Sequence, residues 1–533
     1  MPTSSGSLGD GTGVLTILDN ATVSRSIVVG TTQWFRVTKI HVNFNTLQHT
    51  FSDDLDFLIV GPDGRNLEFW SDAGGGSSIN GSYTISDTGA ASLSDATANA
   101  GGTYKPTDYT SAGGAETSSN WSGLASIPIN HPGPTGSASF ASAFGGTWIS
   151  STTWTLKIRD DVSGFSGSLA DWSIQFDYRI MVKPHDFDGS FVSDILWQNN
   201  DGTPGIWTMS GFAALAVSPA GPNAPWPSNP GPSWHARGDG DFNDDGRSDI
   251  LWQNDDGTPG IWLMNGATAT AMSAVGTNPG PSWHIKDTGD FNFDGKADIL
   301  WQNDDGTPGI WLMDGLTVLG AAPVGTNPGP GWQIKGSGDF NNDGKSDILW
   351  QNLDGTAGIW LMDGLTVLNQ GPVGTNPGAA WQIKGTGDFN SDGKSDILWQ
   401  NTDGTAGIWL MDGMTVLNQG PVGTNPGAAW QIKGTGDFNN DGKADILWQY
   451  ADGTAGIWLM DGLTPTATSS VGTTPGASWH VVGSGDYNGD SCSDILWQND
   501  NGQAGIWMMN GLSVVSAGVA GSFNPGPDWH IIA

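Results

Sequence analysis

Residues 436 to 462 read GDFNNDGKADILWQYADGTAGIWLMDG, and residues 387 to 413 read GDFNSDGKSDILWQNTDGTAGIWLMDG. The leading aspartate of this unit recurs at Asp186, Asp241, Asp290, Asp339, Asp388, Asp437 and Asp486. The spacing is 49 residues throughout, except for a first interval of 55 that carries an insertion around Pro222 to Pro230. A fixed period of this length marks a chain built from stacked supersecondary units. The count is seven.

Each unit reads as four short strands. One opens on a Trp, as in Trp430-Gln431-Ile432-Lys433, followed by Asp445-Ile446-Leu447-Trp448-Gln449 and Gly456-Ile457-Trp458-Leu459-Met460. The fourth is weaker, as in Thr415-Val416-Leu417. Asp-Gly pairs such as Asp452-Gly453 and Asp461-Gly462 supply the positive φ values that tight hairpins need. The apolar runs are nearly continuous, which predicts strands buried on both faces. Four-stranded units of ~40–50 residues packed around an axis are propeller blades. The expected fold is all-β: a jelly-roll sandwich over residues 1–178, a linker at 179–185, and a seven-bladed propeller over 186–533. The last strand, Trp529-His530-Ile531-Ile532, has no unit of its own to begin, and the first unit lacks a Trp-led strand. The C-terminal strand is therefore expected to complete the first blade and seal both sheet edges. Twenty-one of the 28 Trp fall at three fixed positions per unit. Such periodicity on buried strands predicts packing between blades for most of them rather than a stacking platform.

Between the first two strands lies an oxygen-rich loop. Asp437, Asn439, Asp441 and Asp445 stand at positions 1, 3, 5 and 9, with Gly442 at position 6. Calcium takes 6–8 oxygen ligands, and this alternation turns successive side chains toward one centre. Position 12 is Trp448 rather than Glu, so the loop is not an EF-hand. Four further units keep the pattern: Asp241, Asn243, Asp245, Asp249; Asp290, Asn292, Asp294, Asp298; Asp339, Asn341, Asp343, Asp347; and Asp388, Asn390, Asp392, Asp396. The seventh, with Asp486, Asn488, Asp490 and Asp494, has Ser491 in the glycine position. The first is weakest: Asp186, Asp188 and Asp194 remain, but Ser190 and Phe191 replace the third oxygen ligand and the glycine. About one Ca2+ per blade, five to seven in all, is expected. Weak sites of the kind found in extracellular modules, with Kd of ~10⁻⁴–10⁻³ M, would stay empty in a cytosol and favour an extracellular or bacterial cell-surface home.

These residues resemble the FG-GAP/VCBS repeat family, whose integrin-type propellers carry DxDxDGxxD loops between the first two strands of a blade. The resemblance implies calcium binding by the loops. This chain departs from integrin units in lacking a Gly-Ala-Pro element and in its Trp content.

The N-terminal region does not share the repeat. Strands are expected at Trp34 to Val37, Ile40 to Phe44, Asp56 to Val60 and Trp154 to Ile158. The Gly/Ser/Ala-rich stretch from Gly74 to Gly123 reads as long loops of the same sandwich rather than a disordered linker, because it embeds Tyr83-Thr84-Ile85 and has strands on both sides. His49-Thr50-Phe51-Ser52-Asp53-Asp54-Leu55 with Leu58-Ile59-Val60-Gly61-Pro62, and Trp154-Thr155-Leu156-Lys157-Ile158-Arg159-Asp160, are similar to the P-domain of proprotein convertases and bacterial subtilases. The resemblance implies a jelly-roll sandwich, with Asp54 and Asp160 as conceivable calcium ligands. Gly146-Thr147-Trp148-Ile149 looks like a local insertion.

Composition bounds the function. A net charge of −35, with only 19 Lys plus Arg, would repel a phosphate backbone and argues against nucleic acid. One cysteine, Cys492, rules out an internal disulfide. No apolar run approaches the ~18 residues of a membrane span, and no cleavable signal peptide is visible at Met1 to Gly6. No G-x-S-x-G, H-E-x-x-H or phosphate loop appears. His235, His284, His480 and His530 follow the strand-opening Trp, where Gln333, Gln382 and Gln431 stand in other units; such a position reads as structural or solvent-lining. The expected function is a secreted, calcium-stabilised recognition or adhesion protein with a glycan or extracellular protein ligand, bound multivalently. The loop Gly325-Thr326-Asn327-Pro328-Gly329 is a candidate rim. The alternatives are a non-catalytic accessory module of a secreted subtilase system, or a polysaccharide-cleaving propeller enzyme. Oligomeric state is not readable.

Overall fold

The computed structural model describes residues 4–9, 13–29, 35–62, 64–109, 121, 129–134, 136–144, 148–149, 152–180, 183–219 and 229–532. The chain divides into two compact units, between Met181 and Val182.

The first unit is a two-sheet sandwich. In one sheet the long strand Gly167–Ile180 lies between Ser4–Gly9 and Phe35–His49, and the latter pairs in turn with Ile79–Ser86. The other sheet has five strands, in the order Thr107–Asp108, Asn66–Ser71, Leu55–Val60, Thr152–Asp160 and Thr22–Val29. Phe44, Phe57, Phe69, Trp70, Trp154 and Trp172 pack in one buried cluster. Two expectations change. The segments expected at Trp34 to Val37 and Ile40 to Phe44 fall, from Phe35 on, in one strand, Phe35–His49, whose polar Asn43, Asn45 and Gln48 lie on the alternate, less buried face, while Trp34 lies outside the described residues. The Gly-rich stretch contains the strands Ile79–Ser86, Ala91–Ser92, Gly102–Lys105 and Thr107–Asp108, while residues 110–120 and 122–128 lie outside the described residues. Trp148–Ile149 of the suspected insertion pairs with Arg36 and Phe35.

The second unit holds seven four-stranded antiparallel sheets, the blades of a propeller. Blade 6 shows the pattern: inner strand Trp430–Gly436, then Asp445–Tyr450, Ala455–Asp461 and outer strand Thr464–Val471. The middle strands are buried on both faces, whereas the outer strand is largely exposed. Blade 1 combines Ile195–Asn199, Pro204–Ser210 and Ala213–Pro219 with the C-terminal strand Trp529–Ile532, which pairs with Ile195–Asn199 as the inner strand. Most of the insertion around Pro222 falls outside the described residues.

The tryptophans divide by strand. Those on the second strand, such as Trp399, are fully buried and face a third-strand partner; Trp399 and Trp409 have ring centroids 4.9 Å apart. All seven blades carry this pair. Inner-strand tryptophans are only half-buried. Trp381 lies over Gly407, where a Cβ would come within 3.0 Å of its indole, so the third strand needs glycine there.

Adjacent blades are stitched by a residue the repeat pattern does not advertise. Gln351, on the second strand of blade 4, donates from Nε2 to the Trp381 carbonyl of blade 5 at 2.7 Å and accepts the Ile383 N–H at 3.1 Å. The equivalent glutamines do the same around the ring. Gln498 closes it by donating to the Trp529 carbonyl and accepting from Ile531. A primary amide offers a donor and an acceptor at the spacing of a strand's C=O and N–H, which satisfies a buried polar group and crosses the seam.

The candidate metal loops and an aromatic groove

Each nine-residue loop is organised by its first aspartate. In blade 6 the Asp437 carboxylate accepts the N–H of Asp441 at 3.1 Å and of Gly442 at 2.8 Å. Asn439 accepts the Asp441 N–H at 3.3 Å and donates from Nδ2 to Asp441 Oδ2 at 3.0 Å. Asp441 Oδ1 accepts the Lys443 N–H at 3.0 Å. Asp445 is fully buried; its oxygens accept from Phe438 N at 2.9 Å and Met460 N at 2.8 Å, joining loop to third strand. The loops of Asp241, Asp290, Asp339 and Asp388 repeat this network.

Two residues per loop hold a left-handed backbone. In the five intact loops position 6 is glycine, such as Gly442 at φ 80°, and position 4 is Asp244, Phe293, Asn342, Ser391 or Asn440 at φ 56° to 60°. In blades 1 and 7 the roles exchange. Gly189 and Gly489 take position 4 at φ 74° and 78°, while Phe191 and Ser491 take position 6 at φ 63° and 70°. Each loop thus bears one strained non-glycine residue, and the apparent loss of the glycine is a shift of two places.

The oxygen ligands do not converge equally. Among the described residues, three carboxylates with one oxygen each mutually within 4.8 Å occur in the first loop, at Asp186, Asp188 and Asp194. This was the weakest loop by sequence. In the five regular loops position 3 is Asn, whose amide engages the position-5 carboxylate, and no such three-carboxylate group forms. A per-blade clustering of carboxylates is therefore not what the structure shows.

The position-9 carboxylates carry the strongest electrostatic signal. Burial, opposed by the two backbone N–H donors, raises Asp194, Asp298 and Asp347 to about 8 and Asp396, Asp445 and Asp494 to about 7. Asp249 is raised well above the usual range. Desolvation leads because the group sits beneath the loop, and the other loop aspartates add repulsion. The position-7 lysines are directed elsewhere: Lys296, Lys345, Lys394 and Lys443 pair with Asp314, Asp363, Asp412 and Asp461 at the next hairpin.

The loops also join neighbouring blades. Ser493 N donates to the Asp437 carbonyl at 2.7 Å and Gly511 N to that of Phe438 at 2.7 Å; the ring closes with Ser193 N to Asp486 and Gly211 N to Tyr487. Lys183 pairs with Asp486, and His185 Nδ1 meets Asp239 at 2.8 Å, so these two residues of the expected linker are anchored in the propeller. Cys492 is buried and its thiol is pushed up to about 11 by burial and by Asp490, which removes it as a nucleophile.

The His/Gln alternation on the inner strands acquires a cause. His235, His284 and His480 each meet Asp255, Asp304 and Asp500 at 2.7–2.8 Å. Where Gln333, Gln382 and Gln431 stand, the facing positions are Leu353, Thr402 and Ala451. These histidines belong to surface pairs.

Two further features could take a ligand. In the first unit His131 Nδ1 lies 2.9 Å from Asp108 and 3.0 Å from Glu68, a second group that could hold a metal ion; those carboxylates raise the imidazole to about 10. Asp54 is raised to about 7 by burial and by Asp160 and Asp161, while Asp160 Oδ2 is 3.1 Å from His49. On blade 5 a groove of 260 Å³ is lined by Asn376, Pro377, Trp381, Trp409, Gln419 and Pro421 among others. Blade 4 has the same residue types at the equivalent positions Asn327, Pro328, Trp332, Trp360, Gln370 and Pro372.

With this geometry in view, the FG-GAP-like repeat family matches residues 241–301, 339–399, 388–448 and 437–497. This is an FG-GAP-repeat region. No curated protein matches the chain. Among solved structures, an Agrocybe aegerita lectin that recognises non-reducing terminal N-acetylglucosamine is similar at TM-score 0.49 and 18% identity, over 61% of this chain and 89% of that one. The C-terminal WD40 domain of Sif2 is similar at TM-score 0.37 and 14% identity, over 61% and 82%.

Proposed function

We propose that this protein is a calcium-stabilised recognition protein of the cell exterior, binding glycans through aromatic grooves repeated around the FG-GAP propeller. The groove on blade 5 carries the reading. The half-buried Trp381 offers a flat apolar face, Asn376 and Gln419 offer both donors and acceptors, and this mix of a few polar groups with an aromatic wall suits a sugar ring. Recurrence of these side chains on blade 4 lets weak contacts act together. A glycan array read with and without calcium tests it. Binding to a defined sugar class, weakened at least tenfold by Trp381→Ala and Trp332→Ala together, is expected; no sugar bound under either condition would overturn it.

Calcium enters this reading as an ion held by the loop oxygens, in the first blade by Asp186, Asp188 and Asp194. The donor set fits a hard cation, being all oxygen. Bound there, the ion would supply positive charge against the buried position-9 carboxylate and fasten the seam between blades. The first unit is read as a P-domain-like sandwich, which keeps a partnership with a secreted subtilase as the second reading. Co-purification with such a protease would favour it.

A further inference from the structure

The inner strands carry the least expected charge in the molecule. Arg237, Lys286, Lys335, Lys384 and Lys433 occupy one equivalent position on five consecutive blades, and they are five of only 19 cationic residues in a chain of net charge −35. Each falls at a register irregularity: pairing with the second strand jumps from Ile334 to Gly336, from Ile383 to Gly385 and from Ile432 to Gly434, leaving the lysine between as the extra residue. The same break flanks Arg237 and Lys286. A bulge of this kind re-aims one side chain out of the alternating pattern. The inner strands of successive blades are neighbours around the axis, and all five cations are exposed.

The wall beside them is open. A Cβ built on Gly238, Gly385 or Gly434, each next to its cation or one step further along the bulge, would meet nothing within 4 Å. Among the described residues none of the five has a carboxylate within ion-pair distance. Where His235 and His284 engage Asp255 and Asp304, the facing positions beside Lys335, Lys384 and Lys433 hold Leu353, Thr402 and Ala451. The one carboxylate next in sequence, Asp287, accepts from Ser337 N at 2.7 Å and Ser337 Oγ at 3.0 Å. Val482 and Ile532 fill the equivalent positions of the remaining two blades.

We propose that the inner wall of the propeller is an anion site, in which the arc Arg237–Lys286–Lys335–Lys384–Lys433 takes one small multivalent oxyanion bearing several sulfate or phosphate groups. Their mutual repulsion supports the grouping. Lys286 is lowered by desolvation and then by Lys335 and Arg237, against an opposing pull from Asp304, and Lys384 is lowered by desolvation and then by Lys335 and Lys433. A ligand with charges spread over several groups relieves all these repulsions at once, and the bulge glycines leave it space. The proposal is independent of the calcium and glycan readings.

Titration calorimetry on the full chain in calcium buffer, with sucrose octasulfate as the probe and sucrose as its uncharged control, tests it. One probe per chain is expected, with affinity falling steeply as salt rises. The triple variant Lys335→Gln, Lys384→Gln, Lys433→Gln is expected to bind at least 30-fold more weakly and to melt no lower than the parent. Replacing the same three lysines by Arg should retain binding within threefold, which separates charge from fold. No heat with the parent chain, a stoichiometry near one per blade, or equal binding by the Gln variant would each overturn the assignment.

Discussion

Gln351 illustrates how one side chain can outweigh its appearance. Replacing it with Leu removes both bonds to blade 5 and leaves the Trp381 carbonyl and Ile383 N–H facing an apolar group. Each orphaned buried group costs about 1–3 kcal/mol, so with two of them Gln351→Leu should destabilise by about 2–6 kcal/mol in urea unfolding. The exposed Gln370→Leu should stay within about 0.5 kcal/mol. The loop backbone gives an equally local test. Ser491 holds φ 70° without being glycine, so Ser491→Gly should stabilise by about 1 kcal/mol, whereas Gly442→Ala at φ 80° should destabilise by about as much.

The nine-residue loop is both a turn with its own hydrogen bonds and a seam between blades. Its position-9 carboxylate is buried, and in the cation-free protein its pKa is raised above the unfolded value of 3.8, to about 8 in Asp347 and about 7 in Asp445. A raised carboxyl contributes stability that is complete below the unfolded pKa and lost as pH rises through the folded one. Chelated protein should therefore melt progressively lower from about pH 4 to about pH 8, and saturating calcium should flatten that decline. A melting series across that range checks it. Much of this element was legible in sequence: the 49-residue period, the Asp-Gly hairpins and the loop aspartates each carry a local chemical requirement. The ranking of the loops was not, because exchanging glycine between positions 4 and 6 preserves the backbone while breaking the motif. Gln351 stayed hidden because its task is set by the next blade. The His/Gln alternation made sense only once the Asp facing each His was in place. In the first unit, Thr38 and Lys39 made one long strand look like two fragments, and Asn45 hid its continuation to His49.

Closure turns seven such elements into one molecule. The C-terminal strand Trp529–Ile532 pairs with Ile195–Asn199, Gln498 reaches it from blade 7, and the loop of Asp486 meets Ser193. Removing residues 528–533 would expose the Ile195–Asn199 edge and remove both partners of Gln498, leaving the Asp486–Ser193 bond to hold the seam. The truncated chain should lose cooperative melting and self-associate, as an open strand edge invites, which light scattering would detect. In the intact ring the seams are coupled, so a cation held by the loops as proposed would stabilise the whole, by about 2.7 kcal/mol per site at a hundredfold excess over Kd. Thermal melting of the full chain at pH 7.5, in chelator and then in rising calcium, reads this out. The account predicts one cooperative transition whose Tm climbs by at least 5 °C and saturates; a Tm unmoved by calcium or chelator would contradict it.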